Sequence, residues 1–518
     1  MILVAGCERC VPVLAARLPA RNRVLVTLAV LASGIAALLA GARDGRAQNV
    51  DLGEENSWIR IQNVGGQPAT IEVLFYDLDG TQIATDGCPV GGCVELRPGL
   101  GWSFFQQGYG GLPEGYRGSA YVTASQPFVA LLARDAFKGG EFQIAGDTLR
   151  LGSGSPEQYA PIVQNTAEYV SRISVENASE DLDGCFELRF YQQGAATPAA
   201  VDPPGPTAGC PNGGWLVRPR ATLLRDEQSM PVPANFDGSV VLVSRATASG
   251  AAASAQQPSM IVDTRERGGA GLATYRAFGG DELQNVVVLP LVDRNASERG
   301  TSWSTRFRIL NATPGKPNEV TLLFTGTDGA GNATEIEHKI LVLSSVTCDQ
   351  RPGSANNCLP AGEALPDTFV GAVRISAVDP VAVVVQRLGS NGALADYRGF
   401  TADEASREVV LPVLNREYGP GGSDQAWNSW FRVMSFDGTP ARVQVIYYSS
   451  ATPNGVLTNT GTVDPLRTMR QWEEPRIPND WVGSAIVIAD RPIVVVANLE
   501  SDVFEGDPAM MYNGVSLD

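Results

Sequence analysis

The sequence predicts an all-β protein of four tandem antiparallel β-sandwich units behind an N-terminal signal or anchor segment. Three observations carry that prediction. Apolar and polar residues alternate with period two at matching places in four segments. One short stretch recurs four times at domain-sized steps. No segment after residue 47 sustains a helical period. Strict alternation marks a strand with one buried face, and steps of this size mark units that each hold a core.

The units run in order from the N-terminus. Residues 1–47 read as an export signal or anchor: Arg17, Arg21 and Arg23 precede an apolar run from Val24 to Ala40, and Gly45 and Ala47 stand where a cleavage site wants small residues. The four sandwiches then occupy residues 48–150, 151–280, 281–402 and 403–518. A chain of 518 residues is too long for one core. The formal charge of −17 disfavours nucleic acid and anionic membranes as partners. Membrane contact is expected only through the N-terminal segment, if it stays uncleaved.

Each unit opens with a strand carrying paired apolar residues: Ile59 and Ile61, Ile173 and Val175, Phe307 and Ile309, Phe431 and Val433. A second strand follows, with Phe75, Phe190, Phe324 and Tyr447 at one inward position. Next comes the recurring stretch: "LPEGYRGSAYV" at 112–122, "VPANFDGSVVL" at 232–242, "LPDTFVGAVRI" at 365–375 and "IPNDWVGSAIV" at 477–487. Its fixed residues are Pro113, Tyr116 and Gly118; Pro233, Phe236 and Gly238; Pro366, Phe369 and Gly371; and Pro478, Trp481 and Gly483. Pro suits a strand start, the aromatic plugs the core, and Gly leaves room for the ring or marks a bulge. The stretch reads as a strand-entry device. A denser apolar run follows, such as "PVAVVV" at 380–385, suited to a strand covered on both faces. In the second unit the long small-residue insertion "RATASGAAASAQQPSMIV" reads as a flexible loop. Short linkers with a Leu-Pro step, "VVVLPLV" and "EVVLPVL", lead into the third and fourth units. Neighbouring units are therefore expected to string out as beads on a semi-rigid rod.

Six cysteines after the signal form local pairs: Cys88 with Cys93, Cys185 with Cys210, and Cys348 with Cys358. In an exported chain such pairs read as disulfides. A zinc site is disfavoured because His338 is the sole histidine. That histidine alternates with Ile336 and Ile340 as an ordinary strand residue. No serine elbow, phosphate loop or dinucleotide fingerprint is present. The chain is accordingly read as a non-enzyme without a cofactor. Asp77 and Asp79, and again Asp181 and Asp183, stand in "DLDG". Alternate Asp residues before Gly occur in calcium loops, but Asp-Gly is also a hairpin signal, and the turn reading is preferred. Four sequons, at Asn177, Asn295, Asn311 and Asn332, are short, common by chance and read as bare.

In size and strand density the units resemble immunoglobulin-like modules. With 36 Arg against three Lys, and the Leu-Pro-x-x-aromatic-x-Gly step, the chain resembles uncharacterised exported repeat proteins of GC-rich bacteria. The resemblance implies a fold and no activity. The expected role is a secreted or cell-surface rod acting as spacer, adhesin or envelope component. Its partners would be other envelope proteins, further copies of itself or extracellular glycans. A carbohydrate-binding role is the alternative, motivated by Trp102, Trp215, Trp427 and Trp472 outside the strand period. A carboxylate-dependent glycoside hydrolase is the weaker one.

Overall fold

The computed structural model describes residues 55–87, 95–138, 141–149, 154–419, 427–501 and 503–517. The signal segment lies outside them. So do Cys88 and Cys93, and the disulfide expected between Cys88 and Cys93 therefore falls outside the described residues. Among the described residues there is no α-helix, only strands, turns and four single 3-10 turns.

One pairing scheme recurs in all four repeats. The opening strand pairs with the dense apolar strand: Asn56–Asn63 with Phe128–Lys138, and Tyr169–Asn177 with Pro258–Glu266. The recurring stretch enters a strand that pairs with the second strand: Gly118–Ala124 with Ile71–Asp77, and Phe236–Arg245 with Gly184–Gln192. In the third and fourth repeats these two roles fall to single strands of 21 residues, Phe369–Gly389 and Trp481–Ser501. The first half of each pairs with the second strand of its repeat and the second half with the opening strand.

The recurring stretch works as a strand entry. Gly115, Asn235 and Asp480, just before the aromatic, have φ of 72°, 65° and 56°, a turn that suits Gly, Asn and Asp. Phe236, Phe369 and Trp481 are buried, and Phe236 and Trp481 stand edge-on to Phe190 and Tyr447. Gly371 and Gly483 are obligatory. A Cβ there would strike both a carbonyl of the partner strand and the aromatic ring two residues earlier.

The Leu-Pro step lies on a further strand, Gln284–Arg294 or Ser406–Arg416 in repeats three and four, and Glu157–Asn165 holds the same place with Ala-Pro in repeat two. This strand pairs with the other edge of the recurring-stretch strand. A buried tyrosine from the last strand fixes it: Tyr275, Tyr397 and Tyr512 donate to the carbonyls of Ile162, Leu291 and Val413, each the residue after the proline. These proline-bearing strands are buried almost throughout, because in the second and third repeats the following repeat covers their second face. Leu310, Ala382 and Val384 of the third repeat join the core of the second, and Met434, Val494 and Val496 of the fourth join that of the third.

The expected rod does not form. The fourth repeat returns to the first: Glu505–Asp507 adds in parallel to Glu141–Leu149, the one parallel pairing among the described residues. Trp58, Leu131, Phe137 and Phe142 share one core with Val409, Phe431 and Trp481. The last strands of the four repeats, Glu141–Leu149, Leu272–Arg276, Leu394–Arg398 and Ala509–Asn513, meet in the middle of the resulting ring. Side chains bonded to a neighbour's backbone join them. Asp507 Oδ2 accepts from the N–H groups of Leu272 (2.8 Å) and Leu394 (3.0 Å). Asp147 Oδ2 accepts from Arg276 N at 2.9 Å, and Asn513 exchanges two bonds with the backbone of Arg398. Short linkers and buried polar residues at these positions favour closure over extension.

The long insertion of the second repeat is held rather than loose. Gln256 is buried, accepts from Cys185 N and donates to Arg245 O.

Candidate functional site

The first repeat departs from the other three. Among the described residues no proline-bearing strand precedes it, and Gly118–Ala124 is the edge of a three-stranded sheet. The tyrosine that fixes that strand elsewhere is also missing. By register, Asp147 opposite Leu132 occupies the place of Tyr275 opposite Val262 and Tyr397 opposite Val385. Tyr116 and the strand after it are half-buried or exposed, whereas Phe236, Phe369 and Trp481 are buried.

Beside that edge there is a cavity of about 300 Å³. The inner face of the first repeat forms its floor, through Ile59, Phe75, Val122, Phe128 and Leu132. Its far wall is the outer face of the second repeat, with Ser174, Glu176, Ser259 and Ile261. Register places Glu176 where the third and fourth repeats have Leu310 and Met434, and Ser259 where they have Ala382 and Val494. At these two positions the junctions that hold a proline-bearing strand carry apolar residues and the one with the cavity a carboxylate and a hydroxyl, whereas Ser174 aligns with Arg308 and Arg432.

Burial pushes the Glu176 carboxyl up to about 7, against the opposing pull of the Ser119 hydroxyl and the Arg220 guanidinium. Arg220 lies 3.7 Å from the centroid of the Tyr121 ring and pairs with Glu180 at 2.9 Å. At the cleft mouth Arg134 pairs with Asp263 at 3.0 Å, and Arg172 bonds both Glu55 and Asp263. The Arg134–Asp263 and Arg172–Glu55 pairs tie the first repeat to the second.

The calcium candidates are scattered. Asp77 Oδ1 caps its own turn, accepting from the N–H groups of Asp79 (3.0 Å) and Thr81 (2.8 Å). That hairpin docks on the second repeat, where Thr222 N donates to Leu78 O. Asp181 accepts from Ser179 Oγ at 3.4 Å, and Asp181 and Asp183 belong to a loop, not a second hairpin. No group of three or more metal-ligating side chains gathers among the described residues.

Of the three cysteine pairs, Cys185–Cys210 and Cys348–Cys358 are disulfides. The third, Cys88 with Cys93, lies outside the described residues, and its pairing stands as an expectation from spacing alone. His338 lies in Ala333–Val342, opposite Leu322.

The four tryptophans form no platform. Trp427 is buried against Phe142 of the first repeat. Trp102 and Trp215 are partly buried against the first and second cores. Trp472 packs under Arg299, and Arg225 covers Trp215. They look exposed in sequence because their covering partners come from elsewhere in the chain. Of the sequon asparagines, Asn177 and Asn311 lie inside the fold. Both side chains are buried and donate to loop carbonyls, Leu182 O and Val217 O in one case and Lys316 O and Leu343 O in the other. Sequence reasoning missed Ser174, Glu176 and Ser259. The signal that could have found Glu176 and Ser259 is polar residues where the later repeats write Leu or Met and Ala or Val; Ser174 stands where they write Arg308 and Arg432 and gives no such signal.

No protein-family model and no curated protein matches the chain. Among solved structures it is similar to a tetra-tandem repeat in the extending region of a large adhesion protein, at 14% identity over 88% of this chain and 93% of that one, with a TM-score of 0.09. It is also similar to the VP2 subviral particle of infectious bursal disease virus, at 9% identity over 89% of this chain and 79% of that one, with a TM-score of 0.09. Scores this low inform neither fold nor function.

Proposed function

We propose that this chain is a non-enzymatic protein of the cell exterior, built from four immunoglobulin-like β-sandwich modules at residues 48–150, 151–280, 281–402 and 403–518. It acts as a compact envelope or adhesive component that binds through the cleft of its first module. Ring closure is the observation that carries this reading: the strand Glu505–Asp507 completes a sheet of the first repeat, and the two share a core. A closed ring of sandwiches extends no reach, so a spacer role loses its physical basis. It does hold one cleft rigidly between two modules, which suits recognition. Two disulfides support an oxidising compartment. No helix of the described residues is long and apolar enough to cross a membrane.

Small-angle scattering tests the shape. A closed particle of about 470 residues has a radius of gyration of about 23 Å. Four sandwiches end to end, roughly 35–40 Å each, give more than about 40 Å. Cell fractionation with non-reducing peptide mapping tests the compartment. Cytoplasmic material with free thiols at Cys185 and Cys210 refutes the exterior role.

A further inference from the structure

In every repeat the strand beyond the second strand is the outermost of its sheet among the described residues. Three of these four edges are blunted. In the first repeat Gln82–Gly87 has six residues and a bulge at Phe75 and Tyr76 of its neighbour. In the second the edge is broken into Ala200–Asp202 and Trp215–Val217, three residues each, with Pro203 and Pro204 between them. In the fourth Val456–Val463 meets a bulge at Val443 and Gln444. Short, bulged or proline-broken edges resist pairing with another chain. The third repeat differs. Ala333–Val342 runs ten residues, holds neither Gly nor Pro, and pairs with Asn318–Asp328 without a register shift. From this unblunted edge and the order of its charges we infer that the chain self-associates, Ala333–Val342 pairing antiparallel with the same strand of a second copy. The inference goes beyond the proposed function and does not depend on the cleft.

The sequence "ATEIEHKILV" sets the register. A two-fold axis through the sheet keeps each face continuous, so one residue of the strand meets its own copy on the axis. Centred on Glu337 or on Lys339, the pair would bring like charges face to face. Centred on His338, it sets Glu337 of each copy opposite Lys339 of the other, two opposite-charge pairs on the outer face. Glu335, Glu337, Lys339 and Leu341 form that face and are exposed. Lys339 bonds Glu319 of its own copy at 2.8 Å, with both side chains more than half exposed. In the pair it stands between two carboxylates on adjacent strands. Leu341, one of the two most exposed large apolar residues described, gains cover beside Glu335 of the second copy. On the core-facing row Ile336 and Ile340 are partly buried against the third core, and each comes opposite the other across the axis. The pair therefore continues the charge pattern outside and the apolar row inside. A strand of another protein would have to match both rows, whereas a second copy matches them by symmetry.

Analytical ultracentrifugation of the full exported chain tests the pairing. A reversible dimer is expected, with a Kd of about 10–100 µM, as befits one small strand-edge interface. Lys339→Glu and Glu337→Lys each set like charges opposite one another, and each is expected to weaken the dimer at least about tenfold. Mixing the two variants is expected to restore association, since the chain with two acids then faces the chain with two lysines. The double variant Glu337→Lys with Lys339→Glu is expected to dimerise like the unmodified chain, because the swap preserves both pairs. Both positions are exposed, and recovery on mixing shows that each single variant is folded. Hydrogen exchange on the unmodified chain is expected to slow within residues 333–342 as concentration rises. A chain that stays monomeric up to about 1 mM overturns the inference. So does a dimer indifferent to the single reversals, a dimer that mixing fails to restore, or protection that falls outside 333–342. Dilution returns the single particle that small-angle scattering reads, so the closed-ring reading and the self-association fail separately.

Discussion

The first and third repeats share one strand order and one entry device, yet they bury it differently. In the third, Phe369 is fully buried, Gly371 lies hard against Thr325 O, and a Leu-Pro strand clamped by Tyr397 seals the edge. In the first, Tyr116 is half-buried and bonds Tyr76 O and Ser119 O through its hydroxyl. Its strand has one neighbour among the described residues, and Asp147 replaces the clamp. The entry device sets where a strand begins, and a separate strand decides whether that sheet is closed. Among the described residues, the first copy of the device is the one with a cleft beside it.

The largest test of this comparison is truncation of the plug. Trp481→Ala in the closed fourth repeat is expected to cost about 3–5 kcal/mol, the usual loss for a buried aromatic. Tyr116→Ala in the open repeat is expected to cost about 1–2 kcal/mol, because its ring is already partly in water. Urea unfolding measures both. Equal costs would mean that the first repeat is closed in solution. Because Trp481 and Phe142 belong to one core, the first and fourth repeats are expected to lose protection together in hydrogen exchange, in place of an isolated fourth transition.

The second test acts on the glycine. Gly371→Ala drives a methyl into the Thr325 carbonyl and the Phe369 ring, in a strand flanked on both sides. About 1–3 kcal/mol is expected, the range for overpacking. Gly118→Ala meets the Tyr76 carbonyl and the Tyr116 hydroxyl, but its strand can shift toward the open edge, and a smaller loss is expected in the same urea experiment.

Much of this was legible in the sequence, for physical reasons. Period two placed Ile59, Val73, Phe190 and Val433 in the core, and local spacing found Cys185–Cys210 and Cys348–Cys358. Ring closure was not legible. It rests on short polar contacts of Asp147, Asp507 and Asn513 with the backbone of distant repeats, and alternation carries no record of which repeat a strand faces. The same limit misplaced Trp427, whose cover is Phe142 some 285 residues away. The cleft was half legible. The missing Leu-Pro step can be read off the chain, but its consequence depends on knowing that such strands are wedged between two repeats.

A third, smaller test removes one clamp. Tyr397→Phe deletes a hydroxyl that donates to Leu291 O at 2.6 Å and accepts from Leu291 N at 3.3 Å. A loss of about 1–2 kcal/mol is expected, the cost of leaving a buried backbone group without its partner. Faster amide exchange at Leu291 is the specific reading. If Tyr397→Phe leaves that exchange unchanged, the tyrosine does not hold the Leu-Pro strand, and its absence from the first repeat loses its meaning.

The smallest expected effect probes the cleft itself. Burial raises the Glu176 carboxyl from 4.5 to about 7. A carboxyl raised by folding is protonated more readily in the native state. Its contribution to stability is full below about pH 4.5 and is lost as pH rises through 7. Glu176→Gln removes that loss. The variant is expected to match the wild-type chain near pH 4 and to exceed it at pH 8 by about 1 kcal/mol, a value discounted because water reaches a half-buried side chain. The counterparts Leu310 and Met434 do not titrate, so Leu310→Gln is expected to destabilise at every pH, with no such crossing. Thermal unfolding of both variants between pH 4 and 8 makes the comparison. Parallel curves for Glu176→Gln and wild type would show a carboxyl in free contact with water, and the second repeat would then present an ordinary surface where the other junctions present a wall.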